Sequence, residues 1–115
     1  MKARITEVDS IEKLNQLFKS SDENPVLIYK HSVTCGISEN VYEDVKDVDA
    51  NVNIVIVQTG RDISNEIEMR TGIRHASPQA IILKGGKAVY HASHYDITAE
   101  DLEEVLSHKS TSVLS

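Results

Sequence analysis

The chain has one cysteine, Cys35, in 115 residues. That excludes an internal disulfide and fits a reducing, cytoplasmic compartment. No apolar run approaches the roughly 18–20 residues needed to cross a bilayer. The opening Met1-Lys2-Ala3-Arg4-Ile5 lacks the apolar stretch of a signal peptide, so export is not expected. Positive charge is also scarce: twelve Lys and Arg stand against eighteen Asp and Glu, a net charge of −6. Neither nucleic acid nor an anionic membrane is therefore an expected partner. There is no internal repeat, low-complexity tract or second domain. What remains, 40% hydrophobic and 26% charged residues, is the composition of one globular domain. Residues 1–108 are expected to form that domain and 109–115 a flexible C-terminal tail.

The lone cysteine stands in Thr34-Cys35-Gly36-Ile37-Ser38, where an apolar strand hands over to a helix. Upstream, Val26-Leu27-Ile28-Tyr29 has the length and composition of a buried strand. Downstream, Val41, Val45 and Val48 recur at helical spacing with Glu39, Glu43, Asp44 and Asp47 between them, the two-sided pattern of a helix packed on a sheet. Cys35 falls at or just before the first helical turn. The unpaired N–H groups and the positive end of the helix dipole there favour an anion. Such positions lower a thiol pKa from about 8.5 to about 3.5–7.5. A lone cysteine is also, often, a small buried hydrophobe. Against that, Thr34, Gly36 and Ser38 are poor core-packing material but suit a backbone that approaches a ligand closely.

Taken in order, Arg4 to Val8 reads as a short edge strand, and Asp9-Ser10 offers an N-cap for a helix whose apolar face is Ile11, Leu14, Leu17 and Phe18. Ser20 to Pro25 is a loop, Val26–Lys30 a strand, and the Cys35 helix follows. Asp49-Ala50-Asn51 makes a turn before Asn53–Gln58, the most β-rich stretch and one expected to be covered on both faces. Asp62 to Arg70 reads as a helix capped by Asp62 or Thr59 and ended by Gly72. Ile73 to Leu83 reads as a strand introduced by proline, followed by a hairpin turn at Lys84-Gly85-Gly86-Lys87 and a strand over Ala88–Ala92. Thr98 caps a last helix with Leu102, Val105 and Leu106 on its buried face. The order is β-α-β-α-β-α-β-β-α: an α/β fold with a central mixed sheet of four or five strands flanked by helices.

That order, with a cysteine at the start of the helix after the second strand and a Ser77-Pro78 opening the hairpin, resembles the thioredoxin fold over nearly the whole chain. Cys35-Gly36-Ile37-Ser38 stands where thioredoxins carry Cys-x-x-Cys, with serine in place of the resolving cysteine, and so looks like a monothiol site. Ser77-Pro78-Gln79 with its apolar strand and Gly-Gly-Lys is similar to the cis-proline segment and hairpin of glutaredoxins. Motif, Ser-Pro and element order together resemble the monothiol bacilliredoxins, bacillithiol-system proteins with a Thr-Cys-x-x-Ser motif. Where glutaredoxins carry Gly-Gly and acidic residues, this chain has Ala92-Ser93-His94-Tyr95-Asp96, which favours a thiol other than glutathione.

The resemblance implies a thiol-disulfide oxidoreductase with Cys35 as nucleophile, supported by Thr34, Gly36 and Ser38. Ser38 would donate to the sulfur or simply face solvent as a helix residue. Thr34 would cap the helix. Ser77 and Pro78 would pair with substrate, Pro78 in cis leaving the Ser77 backbone free. Lys30 and His31 would meet a substrate carboxylate or stabilise the thiolate, and Arg74 and His75 are similar cases. Bacillithiol is the implied co-substrate, with no resident cofactor; bacillithiolated proteins and a regenerating disulfide reductase are the implied partners. His91-x-x-His94 is read as surface, and no metal site is expected. Two other functions remain open: a [2Fe–2S] carrier of the monothiol glutaredoxin type, which one cysteine per chain permits only as a dimer, and a non-catalytic thioredoxin-like binding module.

Overall fold

The computed structural model describes residues 2–34 and 36–107; Cys35 and the 109–115 tail lie outside the described residues. Five strands and four helices alternate as expected: β1 (Arg4–Glu7), α1 (Ile11–Ser20), β2 (Val26–His31), α2 (Gly36–Val45), β3 (Asn51–Ile56), α3 (Arg61–Thr71), β4 (Gln79–Lys84), β5 (Lys87–Ser93) and α4 (Ala99–Ser107). A 3-10 turn, His94–Asp96, precedes α4 and was not expected. The sheet order is β1-β3-β2-β4-β5. β1 and β2 run parallel to β3, while β4 is antiparallel to β2 and β5 to β4. β2 is thus the central strand, buried at every position.

Alternation along β2 divides the core into two layers. Leu27 and Tyr29 face Val41 and Val45 of α2 and Leu102 of α4. Val26 and Ile28 face Leu14 of α1 and Ile63 and Ile67 of α3. Helices on both faces explain why β3 and β4 read as continuous apolar runs. Ser10 caps α1 by accepting from Lys13 N at 3.1 Å, and Thr98 accepts from Asp101 N at 3.2 Å at the start of α4. Gly72 ends α3 in the left-handed conformation, φ 74°. Gly85 and Gly86, both at positive φ, form the tight β4–β5 turn that only glycine enters without strain.

Three boundaries differ from the sequence reading. β3 runs over 51–56 rather than 53–58, because its neighbour β2 stops pairing at His31 opposite Ile56. The chain then turns, with Thr59 N and Gly60 N both donating to Ile56 O. Gly60, rather than Thr59 or Asp62, stands at the head of α3 without a side-chain cap. β4 starts at Gln79 instead of Ile73, since pairing with β2 ends at Lys30 opposite Gln79. Residues 72–78 are instead a loop that closes with a cis Ser77–Pro78 peptide.

Candidate active site

The β2–β4 register places the functional segments together. With Lys30 opposite Gln79, the residues after β2 and those before β4 lie at one end of the sheet. Pro78 is buried there, and its carbonyl accepts from His94 N at 3.0 Å, tying the 3-10 turn to the same end. Tyr95 of that turn accepts from Asn40 Nδ2 of α2 at 3.4 Å. The loop Ser32-Val33-Thr34 leads into α2, and Thr34 and Gly36, the sequence neighbours of Cys35, are both exposed. Ten residues of helix begin at Gly36, so the positive end of its dipole lies at this loop. Among the described residues no group of three or more His, Cys, Asp and Glu is arranged to hold a metal ion.

Ser38 is not a solvated helix residue: it is fully buried. Its Oγ accepts from Ser32 N at 3.3 Å, and its carbonyl accepts from Tyr29 Oη at 3.1 Å. The hydroxyl thus ties the first turn of α2 to the loop. Thr34 Oγ1 accepts from Gln58 Nε2 at 3.1 Å and lies 3.4 Å from Ser32 Oγ. Ser77 is half-buried beside Pro78.

Lys30 and His31, expected to meet a substrate carboxylate or to stabilise the thiolate, lie in the interior rather than at the surface. Both are buried, Lys30 completely, because they belong to the central strand and helices cover both its faces. Lys30 Nζ lies 3.2 Å from His75 Nδ1. An ammonium only donates, so His75 accepts at Nδ1. Burial pushes the Lys30 pKa down to about 8, against the opposing pull of the Glu68 carboxylate. Burial, together with the Lys30 charge, also holds His75 below the usual histidine range, with Glu68 acting the other way. Glu68 accepts from His75 N at 3.2 Å. On the other face, His31 packs against Tyr42 at a ring-centroid distance of 4.8 Å and against Tyr29 at 5.8 Å. Desolvation lowers its pKa, with Glu39 opposing, which favours the neutral ring. His91 and His94 are exposed, as read, and so is Arg74.

Two residues of the site were missed or undervalued in the sequence. Gln58 was read as the end of a strand, yet its amide reaches three residues of the loop before Cys35. No sequence signal announces it, because the contact spans two elements. The pairing of His75 with Lys30 follows from the course of the 72–78 loop, which no local pattern in the sequence discloses. A concavity of about 290 Å³ opens beside this loop, lined by Val57, Arg61, Ser64, Asn65 and His75. A larger one, about 760 Å³, lies at the far end of the sheet among Lys2, Arg4, Asn24 and Glu103, away from the cysteine loop.

The sequence matches the monothiol bacilliredoxin BrxC family over residues 6–102. The chain belongs to that family. This bacilliredoxin is also similar to a solved structure described as a candidate oxidoreductase with a thioredoxin fold, at 32% identity and a TM-score of 0.79 over 87% of this chain and 91% of the other. A single-site variant of the thioredoxin from Halobacterium salinarum NRC-1 matches at 18% identity and TM-score 0.70, covering 96% of this chain and 95% of that one. The thioredoxin of Fasciola hepatica matches at 16% identity and TM-score 0.70, covering 89% and 96%. The last two likenesses establish the thioredoxin fold. Family and fold together make this bacilliredoxin a thiol oxidoreductase.

Proposed function

We propose that this bacilliredoxin removes bacillithiol from mixed disulfides on protein cysteines, with Cys35 as the nucleophile. The observation that carries the reading is that both sequence neighbours of Cys35 are exposed at the N-terminal end of α2, where the helix dipole favours a thiolate over a thiol. The Cys35 thiolate attacks the bacillithiol sulfur of the mixed disulfide. A Cys35–bacillithiol disulfide forms, and the target cysteine leaves as a thiolate and takes a proton from water. Ser38 has no sulfur with which to resolve the adduct. The sulfur of a second thiol, free or on a disulfide reductase, therefore attacks the bacillithiol sulfur of the adduct, forming a disulfide between the attacking thiol and bacillithiol and releasing Cys35 as the thiolate.

Ser77 and Pro78 lie at the same end of the sheet as the loop that leads to Cys35, and in this reading Ser77 presents its backbone to the incoming disulfide beside Pro78. The concavity containing Arg61, Asn65 and His75 would supply a cation and an amide donor for a substrate carboxylate. The protein would act in the cytoplasm, where such adducts form on reduced cysteines.

Mass spectrometry of the full chain mixed with bacillithiolated and glutathionylated model proteins tests the reading. Transfer of the bacillithiol adduct to Cys35, faster than transfer of glutathione and absent in Cys35→Ser, is the expected result. Transfer of neither adduct would refute it, and faster glutathione transfer would refute the choice of thiol.

A further inference from the structure

We propose that Gln58 is a positioning residue for Cys35, acting through the loop Ser32-Val33-Thr34; the inference rests on the reading of Cys35 as nucleophile. Gln58 lies two residues past the end of β3. Its Oε1 accepts from Val33 N at 3.2 Å, and its Nε2 donates to Ser32 Oγ at 2.8 Å and to Thr34 Oγ1 at 3.1 Å. A primary amide has one acceptor oxygen and two N–H donors, so one side chain holds three consecutive residues. They are the three that immediately precede Cys35 in the sequence. The clamp has a firm base: Val57 N, the neighbouring amide, donates to His31 O at 3.0 Å.

The bonds also have a direction. Val33 N–H can only donate, so the amide must turn its oxygen toward it and its NH₂ group toward the two hydroxyls. Both hydroxyl oxygens then accept, and their own protons point elsewhere. Ser32 Oγ and Thr34 Oγ1 are 3.4 Å apart. When Ser32 donates across that gap, the Thr34 proton is left to be given to an anion. Either hydroxyl can donate across that gap; with the buried Ser32 as donor, the exposed Thr34 hydroxyl, on the residue that precedes Cys35 in the sequence, keeps a proton to give. Gln58 thus holds the three residues that precede the cysteine in the sequence, and through the Thr34 hydroxyl it would favour negative charge at the end of that loop.

The test is the pH dependence of iodoacetamide alkylation of Cys35 in the full chain, with adduct-transfer rates and thermal melts measured alongside. Gln58→Met keeps the length of the side chain and removes all three bonds. It is expected to raise the alkylation midpoint by about one pH unit, the effect of losing one ordinary hydrogen bond to a charged group, and to slow transfer at neutral pH. Thr34→Val should raise the midpoint similarly, and the double variant should go little beyond either, because the two residues act in series. An unchanged midpoint in Gln58→Met, even with a lowered melting temperature, would overturn the proposal by showing that Gln58 only supports the fold. Additive shifts in the double variant would overturn the route through Thr34. Should Gln58→Met not fold, an unchanged midpoint in Thr34→Val overturns the proposal by itself. A wild-type midpoint near that of free cysteine would instead refute the nucleophile reading beneath it.

Discussion

Replacing Lys30 by methionine should make this protein more stable at neutral pH, an unusual outcome for a change in the central strand of a sheet. The side chain is fully buried in β2, paired on either side with Val55 and Gln79. Its pKa is pushed from the ordinary 10.5 down to about 8 because burial disfavours the charged form, even with Glu68 nearby. At about 1.36 kcal/mol per pH unit, that depression corresponds to a penalty on the order of 3 kcal/mol for keeping the ammonium buried at pH 7. The sign follows from proton counting. Between about pH 8 and 10.5 the unfolded chain holds a proton on Lys30 that the folded chain has released. Wild-type stability therefore rises with pH through that window, and below it the full penalty applies. Methionine has nearly the same length and no charge, so it removes the penalty while keeping most of the packing. His75 loses its 3.2 Å partner, but it lies on an exposed loop position and can bond to water instead, a cost of about 1 kcal/mol at most. The net expectation is a gain of about 1–3 kcal/mol in urea unfolding at pH 7 that shrinks toward zero near pH 10.5. Loss of stability at pH 7, or a gain that does not shrink as pH rises, would refute the reasoning. His75 should also titrate at higher pH in the variant, since the Lys30 charge helps to depress it; an NMR titration of the ring reads this directly.

Two further changes probe the scaffold around the site. Ser38→Ala removes the acceptor for Ser32 N inside a buried helix face, and the unpaired N–H should cost about 1–3 kcal/mol in urea unfolding, while adduct transfer to Cys35 persists. Complete loss of transfer in a folded Ser38→Ala protein would mean that the hydroxyl acts on the sulfur itself. Leu14→Ala empties a fully buried position against β2 and α3 and should cost about 2–5 kcal/mol; a smaller loss would show that the layer beneath α1 collapses to fill the space.

Most of the architecture is legible in the chain alone, for local reasons. Element type follows from periodicity and from residues that act within a few positions of themselves. Ser10 and Thr98 cap as their side chains dictate, Gly72 stops α3, and Gly85-Gly86 turns the hairpin. The continuous β-branched run of β3 announced a strand covered on both sides. The monothiol character of the motif is a matter of which residues are present, so the sequence determines it outright.

What only tertiary structure decided are the quantities set by a partner element. Strand ends moved because pairing stops where the neighbour stops, at His31 for β3 and at Lys30 for β4. Neither limit is encoded in the strand that obeys it. Lys30 looked like a surface group because charge usually faces water, and Ser38 read equally as a donor to the sulfur or a solvated helix residue, yet the position of β2 at the middle of a sheet with helices on both faces buries the first, and the packing of α2 buries the second. Gln58 could not be distinguished from any other residue at the end of a strand, since a side-chain hydrogen bond across two elements leaves no periodic trace. Local forces wrote the order of helices and strands, whereas the polar geometry leading to Cys35 exists only once three separate segments have been folded against one another.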